Sequence, residues 1–148
     1  MILSNELAGI RRIFIDTAPI IYYIEAHSQF GPVTKEIFQT FHSGKSMAFT
    51  SVITITEVLP KPIKIGNMEL AIRFMEFLKY GKNFELIEIS SDIAEKAGNI
   101  RGYYTDLRTM DAIQIATALD IGAEVFITND TKLKQIKDIR VLVLKDYI

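Results

Sequence analysis

Four acidic residues, Asp16, Glu57, Asp111 and Asp130, stand where oxygen-ligand chemistry is plausible in a chain that has little else to do chemistry with. There is no cysteine, which removes disulfides, thiolate zinc sites and thiol nucleophiles together. The two histidines, His27 and His42, have no neighbour at ligand spacing, which argues against zinc and against a histidine-based hydrolase. Any catalysis must therefore come from carboxylates, hydroxyls, amines or a bound ion. Carboxylates gathered at close range repel, and their pKa values rise unless something neutralises them. Hard divalent cations are the natural partner: magnesium is held by a few carboxylates plus waters. One or two such ions, about 3.5–4 Å apart when paired, can activate a water and clamp both oxygens of an in-line phosphodiester displacement.

Taken singly, each acid has an ordinary reading. Asp16 ends an apolar segment and could cap a helix, and Asp130 closes the Thr-Asn-Asp turn. Asp111 is a first-turn aspartate favoured by the helix dipole, and a lone glutamate such as Glu57 is usually a solvated helix face. Their placement along the elements changes that weighing. Arg12–Asp16 reads as a short strand, and Ala18–Glu25 as a helix with Thr17 as cap and Pro19 in its first turn. Gly31 and Pro32 break the chain before a helix over Val33–Ser43, and Met47–Thr50 is a second strand. Val52–Leu59 reads as a helix stopped at Pro60 and Pro62, and Asn67–Tyr80 as an amphipathic one ended by Gly81. Phe84–Ile89 is a strand and Ser91–Tyr104 a helix beginning on cap-like Ser-Asp. Arg108–Ile121 is a buried helix rich in small residues, capped by Gly122. Glu124–Thr128 is a strand, Asp130–Gln135 a short helical turn and Arg140–Leu144 a last strand.

Alternating strands and helices predict an α/β fold, a three-layer α/β/α sandwich on a mainly parallel sheet. Such sheets bind ligands at the carboxyl ends of their strands. Asp16 and Asp130 lie at such ends, and Asp111 opens an otherwise apolar helix. Glu57 sits in the helix directly after another strand, so one topology brings all four acids together.

In these residues the chain resembles PIN domains, and among them the small VapC-type toxins. FIDTAPIIYYIE looks like the family's first strand and helix, with Asp16 as its acid and Thr17 beside it. TSVITITEVL, RTMDAIQIATAL and VFITNDTKLKQI look like the second, third and fourth motifs, carrying Glu57, Asp111 and Asp130, with Thr128 and Asn129 as polar neighbours. The resemblance covers nearly the whole chain from Arg12 onward, and MILSNELAGI puts the first acid later than in many compact relatives. It implies one PIN-like nuclease domain over residues 1–148, with 1–11 as an N-terminal extension. It also implies magnesium or manganese on the four acids, Thr17, Thr128 and Asn129 supporting the ligands and their waters, and endonucleolytic cleavage of RNA. A homodimer and a small antitoxin that blocks the site belong to the same expectation.

The totals set the remaining bounds. The chain has 148 residues, 49% of them hydrophobic and 24% charged, which suits one domain with a sizeable core rather than a disordered segment. No apolar run approaches the length of a membrane span and the first residues do not read as a secretory signal, so a cytoplasmic, membrane-free protein is expected. A net charge of −1 means that RNA contact must use local cations, for which Lys61, Lys64, Arg101 and Arg108 are candidates. Asp106 is a candidate for a second ion or a loop role, and Tyr22 and Tyr23 for base stacking or packing. The Phe and Met residues of Ala71–Leu78 read as core or as a dimer or antitoxin surface. A strand-end-aspartate phosphatase is the rival enzyme, but the position two after Asp16 is Ala18, where such enzymes carry a second aspartate. A silent PIN-like binding module is the non-enzyme rival, and it would be expected to have lost some of the acids.

Overall fold

A computed structural model describes residues 2–148. Its centre is a parallel sheet of β1 (Arg12–Ile15), β2 (Met47–Ser51), β3 (Phe84–Ile87), β4 (Val125–Thr128) and β5 (Arg140–Val143). The strand order is β3-β2-β1-β4-β5, with every neighbouring pair parallel. The chain starts in the middle, winds outward through β2 and β3, then returns to the other side of β1 for β4 and β5. The order therefore reverses between β1 and β4, which is where open parallel sheets leave a crevice beyond the strand ends.

Both faces of the sheet are covered, so the strands are apolar on both sides. Ile13, Ile15, Val125 and Ile127 point into one core, while Phe14, Phe49 and Phe126 point into the other, as the two-residue period of a strand requires. Phe14 and Phe126 are register partners whose rings stack at 5.2 Å. On the first face lie α1 (Ile2–Glu6), α2 (Thr17–Ile24), α3 (Gly31–His42) and α6 (Met68–Tyr80). On the second lie α7 (Ser91–Tyr103) and α8 (Thr109–Asp120), which pack along each other over the small residues Ala97, Ala112 and Ala116. The α/β/α sandwich expected from the pattern is thus the architecture observed.

Several local expectations need correction. The cap of α2 is Asp16, not Thr17; its carboxylate accepts the Thr17 N–H, which leaves the Thr17 hydroxyl available for other work. The cap of α7 is Ser90, one residue before the anticipated start. Pro60 and Pro62 do not end helical structure. After α4 (Ile53–Val58), Pro60 opens α5 (Pro60–Lys64), because a proline costs nothing in a first turn whose N–H groups have no intrahelical partner. Gly31 and Pro32 likewise begin α3 rather than precede it. Phe74 and Leu78 of α6 are core residues, with Met75 and Phe77 packed against them. The N-terminal segment is built into the fold: Leu3 and Leu7 are each 2% exposed, and Glu6 pairs with Arg140 at 2.9 Å and accepts the Tyr147 hydroxyl. No helix among the described residues is long and apolar enough to cross a membrane.

Candidate active site

The crevice between the ends of β1 and β4 holds a cavity of about 440 Å³ lined by Asp16, Glu57, Asp111 and Asp130 together with Thr17, Thr128 and Asn129. Each side chain arrives for a local reason. Asp16 is the first residue past β1, and its backbone N–H continues the pairing to the Ile127 carbonyl of β4 at 2.9 Å. Its carboxylate accepts the Thr17 N–H at 2.9 Å and the Thr128 hydroxyl at 2.8 Å, so both strand ends grip it. Asp111 lies in the first turn of α8, 9% exposed, and its carboxylate takes the Arg108 guanidinium at 3.0 Å. Asp130 caps the 3₁₀ turn Thr131–Gln135 by accepting the Lys132 N–H at 3.0 Å. Glu57, on the exposed side of α4, is reached by the Thr17 hydroxyl at 2.7 Å. The ordinary capping roles of Asp16 and Asp130 are therefore real, and both side chains still border the cavity.

Behind Glu57 runs a buried chain of hydroxyls. Thr17 has one proton and gives it to Glu57, so at the 3.2 Å contact Thr54 must donate to Thr17. By the same count Thr50 donates to Thr54 at 2.8 Å. The Gln114 amide fills the second acceptor site of Thr54 at 3.0 Å, and the Gln114 carbonyl takes the Ser51 hydroxyl. The network joins α2, β2, α4 and α8 and leaves none of its members short of a partner. All its donors point toward the carboxylate, which fixes Glu57 as the acceptor at the end of the chain.

Asn129 ties three segments together: its amide donates to the Tyr22 hydroxyl at 3.3 Å and its carbonyl accepts the Lys145 N–H at 3.0 Å. Lys145 and Tyr22 consequently line the cavity, as does Arg108. Tyr22 also stacks on Phe30 at 4.9 Å, whereas Tyr23 faces away and stacks on Phe38 at 3.9 Å. Of the cations anticipated for RNA, only Arg108 reaches the cavity. Lys61 pairs with Glu25 at 3.4 Å, and neither it, Lys64 nor Arg101 lines the acids. Thr50, Ser51, Thr54, Gln114 and Lys145 were missed from sequence. Gln114 carried a signal, as the one long polar side chain inside an apolar helix, and Thr54 stands one helical turn before Glu57.

The electrostatics report an unbalanced acid cluster. Burial lifts the Asp16 carboxyl from 3.8 to about 6, against the lowering effect of its two hydrogen bonds, and the charges of Asp111 and Glu57 add to the rise. Arg108 is held further in its charged form by the hydrogen bond to Asp111. All the donors are oxygens, which suits a hard divalent cation rather than a soft one. In their present rotamers, no three acids or histidines among the described residues are spaced to ligate one ion directly. One oxygen each of Glu57, Asp111 and Asp130 remains outside the recorded protein hydrogen bonds, and Arg108 is three-quarters exposed and can swing off Asp111. Since magnesium needs only one or two direct carboxylates and keeps several waters, the donor set fits.

Comparison with known proteins completes the description. The family model for the PIN domain matches residues 13–139. Among solved structures, the chain is similar to VapBC2 from Rickettsia felis bound to a DNA fragment from its promoter: TM-score 0.73 and 17% identity, covering 89% of this chain and 98% of that one. DNA-bound VapBC from Salmonella typhimurium matches with TM-score 0.73 and 20% identity, covering 91% and 99%. VapC20 of Mycobacterium tuberculosis, a sarcin-ricin loop cleaving toxin, matches with TM-score 0.62 and 16% identity, covering 77% and 86%. No curated protein sequence matches significantly.

Proposed function

The chain belongs to the PIN domain family, and from that premise we propose that it is a divalent-metal-dependent endoribonuclease, the toxin of a toxin–antitoxin pair. The observation that carries this reading is the meeting of four acids from four separate sequence segments in one cavity at the β1/β4 switch point. Capping accounts for Asp16 and Asp130 singly but not for the meeting of all four acids, whose mutual repulsion a divalent cation would relieve.

Asp16, Asp111 and Asp130 would hold magnesium or manganese, with Glu57 beside them. When bound, the ion supplies the charge that stabilises the phosphodiester displacement and makes a water nucleophilic at neutral pH. The chain's own residues do the rest. Thr128 and the Thr17 N–H orient the Asp16 carboxylate. The hydroxyl chain through Thr54 and Thr17 keeps Glu57 aimed, so that it can accept the proton of the attacking water. Asn129 seats Lys145 and Tyr22 at the cavity edge, where a cation and an aromatic ring meet phosphate and base.

The antitoxin partner is supported by a further solved neighbour, a toxin–antitoxin complex from Klebsiella pneumoniae. A homodimer and a cytoplasmic location belong to the same proposal, as does a single nuclease unit over residues 1–148. The presence of all four acids in one cavity favours an active enzyme over a silent binding module.

The test is incubation of partner-free protein with a pool of structured cellular RNAs in magnesium, in manganese and in EDTA, beside Asp111→Asn. Metal-dependent cleavage that the variant lacks is expected. Cleavage that persists in EDTA or in the folded variant would overturn the assignment.

A further inference from the structure

The acid cavity does not end at Asp130. A second cavity of about 240 Å³ adjoins it, and Arg108, Asp111 and Asp130 line both. Each cavity has one cation of its own: Lys145 borders the first and not the second, Lys132 the second and not the first. Both lysines are exposed, and neither makes an ion pair with any described residue. That separates them from Arg108, bound to Asp111, and from Lys134, bound to Asp146 at 2.7 Å.

The backbone of both lysines is also held by residues of the acid site. The Lys132 N–H donates to the Asp130 carboxylate, and the Lys145 N–H to the Asn129 carbonyl. Asp130 and Asn129 are consecutive residues beyond β4. One dipeptide therefore anchors the backbone at two unpaired lysines, one in each cavity, with the shared acids common to both.

We infer that these joined cavities form one channel for a single RNA strand, which crosses the acids with its flanking phosphates on Lys145 at one side and Lys132 at the other. The inference rests on the nuclease reading above and adds the path of the substrate and the residues that hold it. A polyanion crossing four acids needs cations on both flanks, and a single strand is the form of RNA whose unstacked bases can turn into a cavity.

The test measures binding of a fluorescent 20-nucleotide single-stranded RNA in EDTA over a range of salt, for wild type, Lys132→Ala, Lys145→Ala and the double variant. Lys79→Ala, an exposed lysine of α6 outside both cavities, controls for net charge. Each channel substitution is expected to weaken binding severalfold and to reduce the slope of log K against log salt by about 0.7, the double variant by about twice that. Lys79→Ala should leave the slope as in wild type. Equal slopes in wild type and the channel variants, the same loss in Lys79→Ala, or no RNA binding by wild type would overturn the inference. Cleavage is scored separately, so a protein that binds through both lysines but cuts nothing would refute the nuclease reading and leave the channel standing. On an RNA whose cut has been mapped, methylphosphonate linkages on one side of the cut should abolish sensitivity to one lysine only. Loss of sensitivity to both from one side would overturn the crossing path.

Discussion

Replacing Asp16 by asparagine should make the metal-free protein more stable while abolishing its activity. The Asp16 carboxyl is raised from 3.8 to about 6 in the folded protein, chiefly by burial. Between these values the folded state binds the proton more tightly than the unfolded chain, so stability falls as pH rises through the window. The loss is complete above about pH 6 and absent below about pH 4. At about 1.36 kcal/mol per pH unit, a rise of this size amounts to about 3 kcal/mol at neutral pH. Asparagine is neutral throughout and still accepts the Thr17 N–H. It must, however, present an N–H2 group toward Thr128, whose hydroxyl also accepts the Asp130 N–H at 3.2 Å. Losing that hydrogen bond returns about 1 kcal/mol. The net gain is about 2 kcal/mol, or about 4–8 °C in Tm for a domain of this size.

Calorimetry or dye-monitored melting at pH 7.5 in EDTA measures this gain; repeated at pH 4, where only the lost hydrogen bond remains, the gain should vanish and the variant should be up to about 1 kcal/mol less stable than wild type. Adding magnesium should reverse the order of the two proteins, because ligand binding to the native state stabilises wild type and asparagine removes a ligand charge. An Asp16→Asn protein less stable than wild type in EDTA at pH 7.5 would refute the reasoning. So would a difference that does not change with pH. In either case the acid site would not store the electrostatic cost that a metal is invoked to relieve.

The buried network offers an independent check. Gln114→Leu strands the Ser51 hydroxyl in the core and removes one partner of Thr54, so unfolding should cost about 1–3 kcal/mol less. Activity should fall more than metal-induced stabilisation does, since Glu57 is positioned and not removed; denaturant melts and cleavage rates separate the two. Thr17→Val deletes the donor to Glu57 and should lower kcat with little change in KM, which steady-state cleavage measures. Glu6→Ala releases both Arg140 and the Tyr147 hydroxyl and should cost about 1 kcal/mol in a urea melt, with cleavage unchanged.

What was legible in the sequence and what was not divides along a physical line. Three of the four acids were legible because each stands at a break in local pattern: Asp16 ends RIFI, Asp130 closes the turn after VFIT, and Asp111 opens an apolar helix, whereas Glu57 was marked only by its motif and by its helix following a strand. Strand ends converge in a parallel sheet by topology alone, so local pattern sufficed to bring Asp16 and Asp130 together. The choice of cap at α2 turned on one residue of register, which pattern resolves poorly: Asp16 took the role and freed Thr17 for Glu57. The surface lysines depended on which way a helix is turned. Lys61, Lys64 and Arg101 carry the right charge on helices that aim it elsewhere.

Lys145 needed more still. It approaches the acids only because β5 pairs with β4 at the sheet edge and the chain then turns back onto Asn129, a contact between residues 16 apart. Gln114 and Thr54 meet across 60 residues. Periodicity identifies which face of a helix is buried, but not what lies opposite a polar atom on that face. The acids proposed to bear the charge of the reaction were therefore readable from the chain, while the residues that hold them, and the lysines proposed to flank them, became visible only when the strand order was known.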